Sequence, residues 1–419
     1  MRNFINTIQK IEYSGISIDT RTLQKGDIFF AIGDRGHSFV EEAFLKGAVA
    51  AVVTATPEYA ICNKKTTKME SLIIVRDTLE ALMELGSYIK SHSSSNTKII
   101  AITGSVGKTT TKVWLSEILK HKHSVLTGIK NYNTIYGLPI CLSMLNKSHE
   151  YGIFEIGSNS MGEIKKLSTY LKPDIAVITN IKESHIGRFG TRENLATEKI
   201  SIIDGLSEKG TIVFGKNCEF GESIIKKAIE KGVKIVIFET KDYQKIEQHY
   251  NEVCSCVMAI LVEAIGLKEK EYLPYISELK PLQGRGAIET YSYNDKTFKV
   301  IDDTYNASPS SMLASLSYLK NTKNRNKKIA ILGEMKELGD FSCKYHKEIA
   351  KNLKNIDMVF FVGSLETQKI MKKYCKNTFF EINEESIKQI LSFVQNNDII
   401  LIKGSRSIAL EKILTFCKK

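Results

Sequence analysis

The stretch Ile99-Ile100-Ala101-Ile102-Thr103-Gly104-Ser105-Val106-Gly107-Lys108-Thr109-Thr110-Thr111 decides how this chain folds. Its apolar start reads as a buried parallel strand ending near Ile102, and the following Lys112-Val113-Trp114-Leu115-Ser116-Glu117-Ile118-Leu119-Lys120 carries apolar residues at the spacing of one helix face. A glycine loop between strand and helix can aim its backbone N–H groups, and the positive end of the helix dipole, at one anion. Lys108 adds a mobile charge suited to β- and γ-phosphates, and Thr109 a hydroxyl for Mg²⁺. Thr103, Gly104, Ser105, Val106, Gly107, Lys108, Thr109 and Thr110 are therefore the expected nucleotide contacts. The strand before and the helix after separate this loop from a chance Gly-x-x-Gly-Lys-Thr.

Downstream, apolar runs recur at 151–156, 174–181, 211–214 and 234–238 with helical patterns between them. Alternating strands and helices imply a mostly parallel sheet covered on both faces, whose ligands sit beyond the carboxyl ends of the strands. That rule selects Glu155, near the end of one strand, and His185, in Ile181-Lys182-Glu183-Ser184-His185 after another. Taken singly, Glu155 reads equally as an edge-strand acid and His185 as a loop residue with no ligand. Together with the phosphate loop they form a reasonable Mg²⁺ shell around a triphosphate.

After Gly284-Arg285-Gly286 a third unit begins, with strands expected at 298–302, 328–332, 358–362, 378–380 and 398–402. It reads as a second open α/β domain. Three of its strands end in polar turns: Asp303-Thr304-Tyr305-Asn306-Ala307-Ser308, Gly333-Glu334-Met335-Lys336-Glu337-Leu338-Gly339 and Lys403-Gly404-Ser405-Arg406-Ser407. Such turns form a ligand edge, and two facing edges suggest a nucleotide enclosed between the domains. Upstream of the phosphate loop, strand-like runs at 15–19 and 26–32, a helix at 40–45 and a strand at 48–53 make a small α/β module. The polar stretch 91–97 then reads as a linker.

The length of 419 residues, 42% hydrophobic, supports about three cores. No apolar stretch approaches the roughly twenty residues that span a bilayer. The N-terminus Met1-Arg2-Asn3-Phe4 lacks a signal segment, so a cytoplasmic location is expected. Eight cysteines show neither zinc nor Cys-x-x-Cys spacing and read as reduced thiols. The net charge of +12 comes from lysines dispersed along helices, which argues against a nucleic-acid partner.

The short Thr-Gly-x-x-Gly-Lys-Thr loop, with Ile102 where longer loops have a glycine, resembles that of the Mur ligases and folylpolyglutamate synthetases. Ser17-Ile18-Asp19-Thr20-Arg21, with 25–31 and 36–39, is similar to the module by which Mur ligases hold a UDP-sugar; read alone, Asp19 and Arg21 fit a turn-stabilising ion pair as well as ligand contacts. Adding Glu155-Ile156-Gly157-Ser158-Asn159, Asp302-Asp303-Thr304-Tyr305-Asn306-Ala307, Gly333 to Gly339 and Lys403-Gly404-Ser405-Arg406, nearly the whole chain resembles the Mur ligase branch that joins D-alanyl-D-alanine to UDP-N-acetylmuramoyl-tripeptide.

The resemblance implies a three-domain α/β architecture: a small N-terminal UDP-sugar-binding domain over 1–93, a central ATP-binding P-loop parallel-sheet domain over 94–284 and a C-terminal Rossmann-like domain over 285–419. It implies an ATP-dependent, ADP-forming amide ligase of peptidoglycan precursor synthesis that works through an acyl phosphate, as a monomer. Lys108, Glu155, His185, Lys199 and Arg285 would be catalytic, with Arg285 near the γ-phosphate. Thr109, Glu155, His185 and Lys199, the last carbamoylated, would hold two Mg²⁺ ions. Asn306 would read adenine, and Glu334, where the family commonly has Asp, would meet the ribose. Asp19, Thr20, Arg21, Asn133, Lys403, Ser405 and Arg406 would touch substrate; Asn133 lies in Asn131-Tyr132-Asn133-Thr134, where Thr134 replaces a family Asn, and by itself is as readily a turn residue. The alternatives are another Mur-type or folylpolyglutamate-type ligase, and an ATP-hydrolysing remodelling protein.

Overall fold

A computed structural model describes residues 2–54, 71–93, 96–129, 132–243, 246–323 and 326–418. Asn131, Cys62 and residues 94–95 of the expected linker lie outside the described residues.

The strands form three sheets. β1 (Gly15–Ser17), β2 (Asp27–Phe30), β3 (Ala50–Thr54) and β4 (Leu72–Val75) make a parallel sheet in that order. The second sheet holds β5 (Lys98–Thr103), β6 (Val125–Thr127), β7 (Tyr151–Glu155), β8 (Ile175–Ile178), β9 (Thr211–Gly215) and β10 (Lys234–Phe238). Its order is β10-β9-β8-β5-β7-β6, all parallel. The third comprises β11 (Ala287–Tyr293), β12 (Lys296–Asp303), β13 (Lys328–Gly333), β14 (Met358–Val362), β15 (Asn377–Phe379) and β16 (Ile399–Lys403), in the order β11-β12-β16-β13-β14-β15. Only its β11–β12 pair is antiparallel.

The alternation of side chains along β5 builds the centre of the second unit. Ile100 and Ile102 face helix Lys108–Lys120 through Trp114, Leu115, Ile118 and Leu119, while Ile99 and Ala101 face helix Glu163–Leu171 through Ile164, Leu167 and Leu171. All these side chains are buried, each worth about 1.5–3 kcal/mol for a full-size apolar residue. Because the helices leave opposite faces of the sheet, the loops that start them diverge and open a crevice beyond the carboxyl ends of β5, β7 and β8. The Trp114 indole N–H donates to Lys280 O at 3.0 Å, fastening this helix to the segment that leads into the third unit.

Three strands go beyond the sequence reading. β4 and β6 are short and partly exposed, and β11 mixes polar with apolar residues in an antiparallel hairpin. The hairpin turns at Asn294-Asp295, both with positive φ (46° and 60°), as a two-residue primed turn requires. The run expected as one strand over 174–181 stops at Ile178, and Thr179 onward leaves the sheet toward the phosphate loop. Helix Thr78–His92 packs on the first sheet and also against helix Gly137–Ser143, where a Cβ at Gly86 would lie 3.2 Å from Pro139 O. The first and second units are therefore joined by packed helices.

Candidate active site

The phosphate loop needs its glycines. Gly104 has φ +141°, and a Cβ there would stand 2.0 Å from Thr179 Oγ1; Gly107 has φ +85° and begins the helix. Residues just past β8 brace the loop. Asn180 accepts from Ser105 N (3.0 Å, at its carbonyl) and from Val106 N (3.0 Å, at Oδ1), and Thr179 Oγ1 donates to Val106 O at 2.7 Å. Ser105 Oγ donates to Lys182 O at 2.7 Å. Lys108 folds back across the loop, with Nζ donating to Gly104 O at 2.8 Å, and Lys199 Nζ reaches the same carbonyl from another helix at 3.1 Å.

Glu155, at the end of β7 and only 6% exposed, accepts from Thr109 Oγ1 (2.8 Å) and from Asn133 Nδ2 (2.9 Å). Arg285 Nη2 donates to the same Thr109 oxygen at 3.1 Å. Burial alone would raise the Glu155 pKa, but Lys108, Lys112 and the two hydrogen bonds outweigh it and hold the carboxyl below its ordinary value. Burial lowers the pKa values of Lys108 and Lys112. For Lys199, burial joined by the Lys108 charge pushes it down to about 7.

A cavity of about 390 Å³ runs from the loop to the carboxyl edge of the third sheet. Lys108, Thr109, Thr110, Glu155, Lys199 and Arg285 line it, and so do Asn133, His185, Asn306 and Lys403. Lys403 is buried there, with Nζ donating to Asp303 Oδ2 at 2.7 Å and to Asn306 O at 3.1 Å.

Other expected residues are engaged elsewhere. His185, with φ +65°, turns its Nδ1 to within 2.5 Å of Glu337 Oε2, at an angle outside hydrogen-bond geometry. Glu337 also meets Arg188 Nη2 at 2.5 Å, and its carboxyl is pushed down to about 2 by the His185 contact, then by Arg188, against the effect of burial. Among the described residues no cluster of three or more His, Cys, Asp or Glu is placed to hold a metal; His185 and Glu155 line the same cavity, with His185 drawn to Glu337. Glu334 lies off the cavity: its carboxylate accepts from Ser364 N (2.8 Å) and Lys336 Nζ (2.9 Å), which answers its charge within the third unit. Ser405 is also off the cavity, its Oγ accepting from Lys336 N at 2.8 Å, and Arg406 pairs with Glu411 at 2.9 Å on the rim of a separate hollow. Asp19 and Arg21 close on each other at 2.6 Å, with Asp19 Oδ1 also accepting from Arg21 N; Thr20 is buried.

Residues 102–269 match the family profile of the Mur ligase middle domain, and residues 288–406 that of the Mur ligase glutamate ligase domain. The chain belongs to the Mur ligase family. The UDP-N-acetylmuramoyl-tripeptide–D-alanyl-D-alanine ligase of Rickettsia prowazekii is 32% identical, over 98% of this chain and 97% of that protein. The ligase of the same name from Bacillus subtilis is 31% identical, over 96% and 92%. Among solved structures, MurF from Acinetobacter baumannii superposes with a TM-score of 0.83 at 25% identity, covering 96% of this chain and 92% of that one. MurF ligase from Thermotoga maritima in complex with ADP gives 0.79 at 26% identity, with 96% of each chain covered.

Sequence reading passed over Thr179 and Asn180, Lys112, Tyr305 and Glu337. The strand-end rule that found Glu155 would have found Thr179 and Asn180 had β8 been ended at Ile178. Lys112 opens the helix read from its apolar spacing, and its own side chain is 3% exposed and donates to Gly128 O at 2.8 Å.

Proposed function

We propose that this Mur ligase uses ATP to join D-alanyl-D-alanine to the terminal carboxylate of UDP-N-acetylmuramoyl-tripeptide, in peptidoglycan precursor synthesis. The observation that carries the reading is the grouping of Lys108, Thr109, Glu155, Lys199 and Arg285 on one cavity between the second and third sheets, in a chain whose relatives bear that activity in their names.

A carboxylate is a poor electrophile and repels a triphosphate, so cations must draw the two together before reaction. A substrate carboxylate oxygen attacks the γ-phosphorus and ADP leaves. The uncharged amine of D-alanyl-D-alanine attacks the acyl carbon, and phosphate departs carrying that oxygen. Lys108 and Arg285 neutralise the phosphate oxygens; Asn306 meets the adenine; Lys403 and Asn133 meet substrate. Ser405 and Arg406, beyond the nucleotide cavity, belong to the acceptor side, and Asp19, Thr20 and Arg21 to the UDP-sugar side. In this reading residues 1–93, 94–284 and 285–419 are the UDP-sugar, ATP and C-terminal domains.

The donor set fits Mg²⁺: the Thr109 hydroxyl and the buried, ionised Glu155 offer hard oxygens. Bound there, the ion would screen phosphate charge. A buried lysine whose pKa falls to about 7 holds a substantial neutral fraction, so the Lys199 nitrogen can attack CO₂, losing a proton and gaining a carbamate with further metal-binding oxygens. His185 joins this set when its contact with Glu337 is exchanged. The protein acts as a cytoplasmic monomer with no nucleic-acid partner; among the described residues no helix is long and apolar enough to cross a membrane.

Phosphate release measured against a panel of UDP-N-acetylmuramoyl peptides and amine acceptors tests the reading. Turnover should require a tripeptide donor together with D-alanyl-D-alanine. Equal turnover with single amino acids as acceptors would point to another ligase branch.

A further inference from the structure

Arg285 occupies a frame built around its backbone. Gly284 and Gly286 on either side have φ +71° and +95°. Gly284 N donates to Asp302 Oδ2 (3.0 Å), Gly286 N to Asp302 O (2.7 Å) and the Tyr250 hydroxyl to Arg285 O (2.6 Å). Asp302 Oδ1 accepts from Thr304 Oγ1 at 2.7 Å, and Tyr305 N returns to Gly284 O at 2.9 Å. The main chain is thus fixed to the end of β12, while the long side chain keeps its rotatable bonds.

Two contacts hold its tip. Nη2 donates to Thr109 Oγ1 at 3.1 Å, and the guanidinium carbon lies 4.0 Å from the centre of the Tyr305 ring. The Thr109 bond is the weaker anchor during reaction, because that hydroxyl is also the oxygen expected to meet the metal. The ring contact does not compete with phosphate: stacking uses the flat face of the guanidinium and leaves its in-plane N–H donors for oxygens. Tyr305 is itself braced, with the Arg406 guanidinium 5.9 Å from its ring centre and Arg406 paired to Glu411 at 2.9 Å.

We propose that Tyr305 is a positioning residue that holds the Arg285 guanidinium over the phosphate site through its ring face. The proposal rests on the placement of Arg285 at the γ-phosphate given above. Thr109 belongs to the second unit and Tyr305 to the third, so the guanidinium reaches its working place when both units meet around it.

The test is steady-state kinetics of the full chain, with both substrates saturating, for Arg285→Ala, Tyr305→Leu, Tyr305→Phe and the double variant Arg285→Ala/Tyr305→Leu. Tyr305→Leu should lower kcat by about tenfold to a hundredfold, as misplacing a charge by about 1 Å does, with KM for ATP changed by no more than about twofold. Tyr305→Phe keeps the ring and should retain most of kcat. In the Arg285→Ala background Tyr305→Leu should cost nothing more. Should Tyr305→Leu fail to fold, pentafluorophenylalanine against phenylalanine at 305 keeps the shape while reversing the ring's charge pattern, and kcat should fall at least about threefold. Unchanged kcat in Tyr305→Leu or in the fluorinated pair, or an equal loss with and without Arg285, overturns the positioning role. Wild-type kcat in Arg285→Ala overturns the placement of Arg285 itself, and the positioning role with it.

Discussion

Replacing Lys199 by Met should change how stability depends on pH. Burial and the neighbouring Lys108 charge bring its pKa from 10.5 to about 7 in the native state. In the unfolded chain the value returns to the ordinary one. Between the two, the unfolded state binds a proton that the native state does not, so this lysine makes stability rise with pH from about 7 to about 10.5. For a single group with those two values, the rise from about pH 7 to about pH 9.5 amounts to about 3 kcal/mol. Lys199→Met removes that component, so the difference between wild type and variant reads this lysine together with its charge coupling to Lys108, Glu155 and Glu198. Urea unfolding at the two pH values, in CO₂-depleted buffer without divalent metal, keeps the amine unmodified. Trp114 is the sole tryptophan and lies fully buried in the unit that holds Lys199, so its fluorescence reports the relevant transition. Wild type should gain about 3 kcal/mol more than the variant over that interval. Parallel pH dependence, within about 0.5 kcal/mol, would refute the buried, neutral-prone lysine on which the carbamate reading depends.

Lys108→Ala should fold normally and lose at least about a thousandfold in turnover, since it deletes a half-buried charge aimed across the phosphate loop; near-normal rate and ATP affinity would exclude that role. Lys199→Ala should lose activity that formate or acetate partly restores, whereas a fully active variant, with unmodified lysine in the wild type by mass analysis, would remove the carbamate. Gly187→Ala places a Cβ 2.4 Å from Gly339 N and 2.7 Å from Leu338 C, both backbone atoms of the third unit that cannot swing aside. It should open the contact between units at a cost of about 1–3 kcal/mol, seen as a larger radius of gyration by X-ray scattering with slower phosphate release. Unchanged scattering and rate would show that this contact plays no part in turnover.

The α/β alternation and the phosphate loop were legible because each rests on local pattern: continuous apolar runs, helical periodicity, and glycines at 104 and 107 where the backbone takes positive φ. Glu155 was legible from its place at a strand end. What local pattern leaves open is which partner satisfies a side chain. Glu334 and Ser405 sit on the right strand ends, yet they satisfy Lys336 and Ser364 within their own unit. His185 meets an acid, Glu337, that is remote in sequence and comes from another unit. Asp19 carries two readings, and in this structure its carboxylate meets the neighbouring Arg21 guanidinium. β11 was missed because a half-buried antiparallel edge strand needs few apolar residues, although its Asn-Asp turn was visible.

The central claim is that ATP is spent to activate a carboxylate, and the fate of one oxygen atom tests it. If the substrate carboxylate attacks the γ-phosphorus, one of its oxygens bridges to phosphorus and leaves with inorganic phosphate when the dipeptide amine displaces it. UDP-N-acetylmuramoyl-tripeptide labelled with heavy oxygen in its terminal carboxylate should therefore deliver one labelled oxygen to each phosphate, in turnover that requires D-alanyl-D-alanine. Phosphate that carries only solvent oxygen, released at the same rate without either substrate, would contradict the ligase account and identify a simple ATPase.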